Sequence, residues 1–222
     1  TRDFAKEIIF GGTPSLSRQG LGSIATLMLN VAAGAFGDAA IAGMSIVTRI
    51  SFFTYAMVIG LGQGFQPLCG FCYGAKLYGR VKEAFFFCIK CGTVFLSVCA
   101  LLGFIFSTSI ISIFRDDAAV VAVGSVALRW QVLSFPLVAS IVLTNMLMQT
   151  IRKPVRANIV AAARSGLFFI PLIFILPYFF GLLGVEMCQM WADCCSFAVA
   201  VPIAWSAFRD MRREQMELGK SH

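Results

Sequence analysis

Apolar residues run in long blocks along this chain, and charged residues fall in short bursts between them. Reading from charge to charge gives apolar runs at residues 19–37, 50–75, 91–114, 130–151, 165–185 and 187–208. A helix rises about 1.5 Å per residue, so roughly 20 mostly apolar residues cross a hydrocarbon core. The pattern therefore predicts six membrane-spanning helices. Two of them are expected to extend backward past their windows, from Arg49 to Ala39 and from Arg129 to Ala118. Asp193 is the one acid inside any run.

Composition supports the same reading. Hydrophobic residues make up 59% of the 222 positions and charged residues 13%, against about 25% charged in ordinary soluble domains. Mean hydropathy is +0.84. Too few charges remain to cover a water-facing surface, so the solvent is mostly lipid. The net charge of +7 does not point to nucleic acid, because a nucleic-acid binder gathers its Lys and Arg on one folded face. The first twelve residues are mixed and charged, without the short apolar core of a cleavable signal sequence. A start at Thr1 fits a fragment of something longer.

The basic residues alternate from one set of connections to the next. One set carries Arg2 and Lys6, then Lys76, Arg80 and Lys82, then Arg152, Lys153 and Arg156, then Arg209, Arg212, Arg213 and Lys220. The other carries Asp38, then Arg115 beside Asp116 and Asp117, then Glu186. Lys and Arg stay on the cytoplasmic side of membrane proteins, so the first set and both ends of this segment are expected inside. The expected division is a cytoplasmic lead-in at residues 1–13, a six-helix transmembrane lobe at 14–208, and a basic cytoplasmic tail at 209–222. The connections are too short to hold an enzymatic domain. Function is expected between the helices, and enzyme chemistry is not.

Several positions are candidates for that function. Residues 60–75 are rich in glycine around Gln63, Gln66 and Pro67. Small residues let membrane helices pack closely, while a proline removes a backbone donor and loosens a helix. The stretch reads either as packing or as a hinge at Gly62, Gly64 and Pro67 with amides lining a wet cavity. Pro136 is expected to kink the fourth span, and Pro171 and Pro177 to bend the fifth. Asn30, Gln131, Asn145 and Gln149 are uncharged polar groups that either bond between helices or contact a ligand. Met44, Met57, Met146 and Met148, with Phe52, Phe53, Tyr55 and Phe135, offer an adaptable lining, since thioethers repack easily. From these, the candidate cavity lining is Asn30, Arg49, Phe52, Gln63, Gln131, Asn145 and Met146. Arg49 and Arg129 are expected near the outer face, as snorkelling side chains or parts of a gate. Arg18, Lys90 and Arg164 are read as anchors at cytoplasmic helix ends. A carboxylate at mid-membrane costs about 2.5–3.5 kcal/mol on insertion scales. Asp193 is therefore expected to pair with Arg49 or Arg129, to meet water in a mouth, or to serve as a proton site. Cys69, Cys72, Cys88 and Cys91 have the spacing of a zinc ribbon, but they lie on helix ends in apolar surroundings. No metal is expected there, and His222 stands alone at the terminus.

The string Gly60-Leu-Gly-Gln-Gly-Phe-Gln-Pro67, continuing through Gly74 to Gly79-Arg80-Val81, resembles the signature after the eighth helix of the multidrug and toxic compound extrusion (MATE) family. Thr13-Pro14-Ser15-Leu16-Ser17-Arg18-Gln19, with Asn30, Gly37-Asp38 and Arg49, resembles the start of that family's second half. Gln149-Thr-Ile-Arg-Lys-Pro154 resembles its turn between helices ten and eleven. The likeness runs in order along essentially the whole chain. It implies an all-α membrane protein, helices seven to twelve of a twelve-helix transporter, with an N-terminal six-helix lobe as partner. It also implies export of cationic or amphipathic drugs in exchange for protons or sodium, by alternating access and with no cofactor. Some branches carry acids in helices seven and ten, but runs 19–37 and 130–151 here contain neither Asp nor Glu. The coupling carboxylate is therefore expected in the absent half. The alternatives are a lipid-linked precursor flippase of related fold, which would need a cationic cavity, and a membrane scaffold that transports nothing.

Overall fold

The structure, a computed structural model, describes residues 19–220 and is built from helices alone within that range. The helices are α1 (residues 19–34), α2 (Asp38–Gly74), α3 (Tyr78–Ile105), α4 (Ser107–Phe114), α5 (Ala118–Thr150), α6 (Pro154–Ala162), α7 (Phe169–Phe180) and α8 (Leu182–Lys220). A π-helical turn, Ala163–Leu167, joins α6 to α7. Five units are long and apolar enough to cross a membrane: α2, α3, α5, the continuous Pro154–Phe180 unit and α8. Helix α1, as described over residues 19–34, is shorter than a crossing requires. The described residues therefore hold five candidate spans where six are expected.

Turn chemistry explains where the helices stop. α2 and α5 end alike. Lys76 and Arg152 take positive φ, 58° and 56°. Leu77 N–H then reaches back to the Cys72 carbonyl at 2.8 Å and Lys153 N–H to the Met148 carbonyl at 2.9 Å. Both ends are Schellman caps, made without the usual glycine. Pro154 follows at the first position of α6, where its missing N–H is not needed. Asp117 caps α5, its side chain accepting from Ala119 N–H at 2.9 Å.

α5 is the central post. It packs against α2, α3, α4, α6 and α8, while α7 packs on α8. Close approach is built from glycine: a Cβ on Gly43 of α2 would stand 3.1 Å from the Gly124 nitrogen of α5, so two backbones touch there. Large apolar side chains such as Phe71, Phe87, Ile113 and Phe179 point outward and are exposed. A soluble monomer rarely exposes so much apolar surface; a bilayer removes the conflict. The chain is a multi-pass membrane protein.

The structure corrects several boundaries. α2 and α5 begin at Asp38 and Ala118, within a residue of the expected extensions. α3 begins at Tyr78, so Arg80 and Lys82 lie on its exposed first turns rather than in a connection. The run at 91–114 is divided at Phe106 into the end of α3 and the short α4. The last connection is only Gly181, at φ 58°. Glu186 therefore sits inside α8, where it is 4% exposed, and not in an external loop. A charge was read as a marker of water, but one-residue turns leave it nowhere to go except the bundle. The boundary expected at 208/209 falls within the unbroken helix α8, and the expected lead-in, residues 1–13, lies outside the described residues.

Candidate functional site

The π turn determines the site. Read from Pro154, the fifth span is one helix interrupted by a register change, and Arg164 lies in the interruption, far from the Pro154 end. Ten residues at about 1.5 Å each put it roughly 15 Å along the span. The Phe168 N–H bonds to the Ala163 carbonyl at 3.2 Å. Four residues past Leu167, Pro171 has no N–H to return to it, which relaxes the α-helical register there. The expectation that Arg164 anchors a helix end is overturned: its side chain points into the bundle and is 18% exposed.

There it meets Asp193 of α8, which is fully buried. Arg164 Nε donates to Asp193 Oδ1 at 2.8 Å, and Gln189 Nε2 donates to the same oxygen at 3.0 Å. Ser134 Oγ of α5 donates to Asp193 Oδ2 at 2.8 Å. The Ser134 hydroxyl also stands 2.9 Å from the Gln131 carbonyl, but its single proton serves one acceptor at a time. The guanidinium lies over the Tyr55 ring of α2, 4.4 Å from its centre, a geometry that favours a cation. One ion pair thus ties α2, α5, the π turn and α8 together.

This arrangement corrects the expected partner of Asp193. Neither Arg49 nor Arg129 reaches it. Arg49 is exposed on α2, and Arg129 Nε donates to Ser107 Oγ at 2.9 Å and lies near the Phe104 ring. Adjacent spans carrying one Arg and one Asp held the sequence signal for the pair. The π turn hides that signal, because charge-to-charge reading puts Arg164 at a helix end.

A cavity of about 400 Å³ opens beside the pair, between α1, α2, α5, α7 and α8. Its wall alternates hydroxyls and amides (Ser23, Thr26, Thr48, Ser51, Gln131, Gln189) with Leu29, Met44, Phe52, Tyr55 and Phe169. Arg164 is its one charged lining group among the described residues. The buried Ser51 hydroxyl has no hydrogen-bond partner among the described residues. Of the seven expected lining residues, Phe52 and Gln131 are on this wall; Asn30, Arg49 and Gln63 are not. Asn145 borders a smaller cleft behind Tyr55. There its Nδ2 donates to the Ala157 carbonyl at 2.7 Å, and its Oδ1 accepts from Gln149 Nε2 at 2.7 Å. That network joins α5 to α6. Met146 is packed under Gly62, whose missing side chain makes its seat.

The glycines of α2 therefore divide by environment. A Cβ on Gly62 would collide with the Met146 sulfur, whereas Gly60 and Gly64 have nothing within 4 Å. Gly62→Ala is expected to lower the thermal midpoint by forcing Met146 to repack, at about 1–3 kcal/mol. Gly60→Ala and Gly64→Ala should be neutral, or stabilising by up to about 1 kcal/mol from helix propensity. Thermal unfolding of detergent-solubilised full-length protein checks this; equal losses at all three positions would contradict it.

At the basic end of the bundle, Lys153 Nζ and Arg156 Nη1 reach Asp210 Oδ2 at 2.7 and 3.2 Å, and the Tyr78 hydroxyl donates to Glu214 at 2.7 Å. These half-exposed contacts contribute little individually but tie the starts of α3 and α6 to the end of α8. Among the described residues no three Cys, His, Asp or Glu side chains gather in a metal-holding cluster, and the eight cysteines are free thiols.

Comparison with known proteins agrees with this architecture. Multidrug export protein MepA of Staphylococcus saprophyticus is 27% identical over 206 residues, covering 92% of this chain and 45% of the relative. MepA of Staphylococcus aureus is 28% identical over 205 residues, with the same shares of each chain. The chain thus spans about half the length of the relatives it matches. Among solved structures, the Vibrio cholerae MATE transporter VcmN in its bent form matches with TM-score 0.87 and 18% identity, over 95% of this chain and 48% of that one. A MOP superfamily transporter from Pyrococcus furiosus, described as having a binding pocket of reverse polarity, matches with TM-score 0.88 and 18% identity, over 96% and 48%. The fold is one lobe of such a transporter. With the MatE family model matching residues 14–175, a range that includes Arg164 and every cavity wall except α8, the chain belongs to the MatE family.

Proposed function

We propose that this chain forms one lobe of a drug exporter that expels cationic or amphipathic compounds in exchange for protons or sodium. In this reading it works with a second six-helix lobe of the same protein, in the cell membrane, with both ends of this segment in the cytoplasm. The two lobes rock to expose a central cavity to each side in turn, and Pro67 and Pro136 are the points at which helices of this lobe yield. The cavity beside Arg164 carries the proposal: polar neutral groups interleaved with aromatics and methionine suit varied amphipathic ligands better than one defined substrate. A scaffold would have no use for a polar cavity of about 400 Å³ inside its bundle. A flippase for anionic headgroups would want free cations in the wall, yet Arg164 is already neutralised by Asp193.

The test is ethidium accumulation in cells expressing the full-length protein, with proton and sodium gradients collapsed separately. Lower accumulation than in vector controls, abolished by collapsing one gradient, is expected. Accumulation equal to vector would overturn the export reading. Impermeant labels at Arg80 and Asp116 should report opposite compartments; the same compartment for both would overturn the topology.

A further inference from the structure

Asp193 uses its three donors as a carboxylate anion does. Glu186, two turns earlier on the same helix, has nothing comparable. It is 4% exposed, and among the described residues its Oε2 has no hydrogen-bond partner and no ion pair includes it. An ionised carboxylate buried without a partner is unfavourable by several kcal/mol. We infer that Glu186 is a proton-carrying site of this lobe, and that its loading and release from the cavity couples protons to export.

The inference rests on the export reading above and specifies its coupling ion. Position supports it. Val185 and Gln189, on either side of Glu186, both line the cavity. Gln189, one turn from Glu186, also donates to Asp193. Glu186, Gln189 and Asp193, at positions i, i+3 and i+7, share one helix face. The polar ladder therefore runs from an unpaired acid, past an amide at the cavity wall, to the ion pair. A sodium site is helped by several gathered acids, and among the described residues no cluster of three Cys, His, Asp or Glu side chains includes Glu186; a single buried carboxyl is suited to a proton. The balance is simple: the neutral acid releases one proton to water and becomes a carboxylate when the cavity wets it, and it recovers one proton before closing.

Among the described residues no neighbouring charge offers another explanation. Of the elements packed on α8, α5 carries only Arg129, held by Ser107. α7 carries only Tyr178, which is exposed. The π turn carries Arg164 on Asp193, and α6 carries Arg156 on Asp210. α3 is joined to α8 through Tyr78 and Glu214, at the far end. On α8 itself Asp193 is satisfied, and Cys188 donates to the Phe169 carbonyl at 3.7 Å.

The test uses full-length protein in proteoliposomes, with ethidium as substrate and an internal pH dye. In E186Q, proton movement coupled to ethidium transport should fall at least about tenfold, and ethidium binding should lose its pH dependence while its affinity at low pH stays within about twofold. Glu186→Asp should restore part of the coupling. Wild-type pH dependence and coupling in E186Q, or wild-type transport driven by sodium and indifferent to pH, would overturn the inference. Infrared difference spectra between low and high pH separate it from the export reading. A protonated-carboxyl band present in the wild type and absent in E186Q supports the site even if ethidium is not exported. Absence of that band from the wild type overturns it.

Discussion

Arg164→Ala is expected to destabilise the lobe by about 3–5 kcal/mol, because it leaves Asp193 charged and fully buried with only an amide and a hydroxyl. The reverse truncation is milder. In Asp193→Asn the orphaned guanidinium can still turn its free nitrogens toward the cavity, so a loss of about 1–3 kcal/mol is expected. Replacing both, as Arg164→Met with Asp193→Leu, should recover most of the stability, since an apolar pair of similar volume often matches a buried ion pair. Thermal or denaturant unfolding of the wild type, Arg164→Met, Asp193→Leu and the combined variant forms a double-mutant cycle. Additive losses would show that the pair is not coupled. Ethidium efflux by the double variant then separates structure from function: a stable protein that no longer exports would assign the charges to transport.

Gly184→Ala is the second large effect. The position follows the single-residue turn at Gly181, where α8 doubles back against the end of α7. A Cβ there would overlap the carbonyl group of Leu176 and the nitrogen of Pro177, closer than any real side chain comes. These are backbone atoms, and Pro177 is rigid, so no rotamer change relieves the clash. A loss of about 3 kcal/mol or more is expected, at the upper end of overpacking, with disturbed seating of Val185 and Glu186 on the cavity side. Gly20→Ala on α1, where nothing lies within 4 Å, is the control. Unfolding midpoints that match for the two variants would refute the assignment.

Much of this molecule was legible without coordinates. Long apolar runs can only be membrane helices, because lipid satisfies no backbone group and each helix must satisfy its own. The Gly60–Gly74 string and the Gln149–Pro154 turn were enough to suggest the family. Phe52 and Gln131, candidates from the sequence, lie on the wall of the cavity beside Arg164. Asn145 and Met146 were singled out as well, but the structure commits them to α5–α6 bonding and to the seat at Gly62.

What sequence could not supply is the depth and facing of a charge. Apolar runs were read from charge to charge, so Arg164 and Glu186 were assigned to ends and loops by the same rule that found the helices. A helix turns about 100° per residue, and which neighbour a side chain then meets depends on how the helices pack. Chain order and composition determined that this is a lobe of membrane helices with one basic side. Only the tertiary structure decided that Arg164 pairs with Asp193 beside a cavity and that Glu186 is buried without an ion-pair partner among the described residues, because burial and pairing belong to several helices at once.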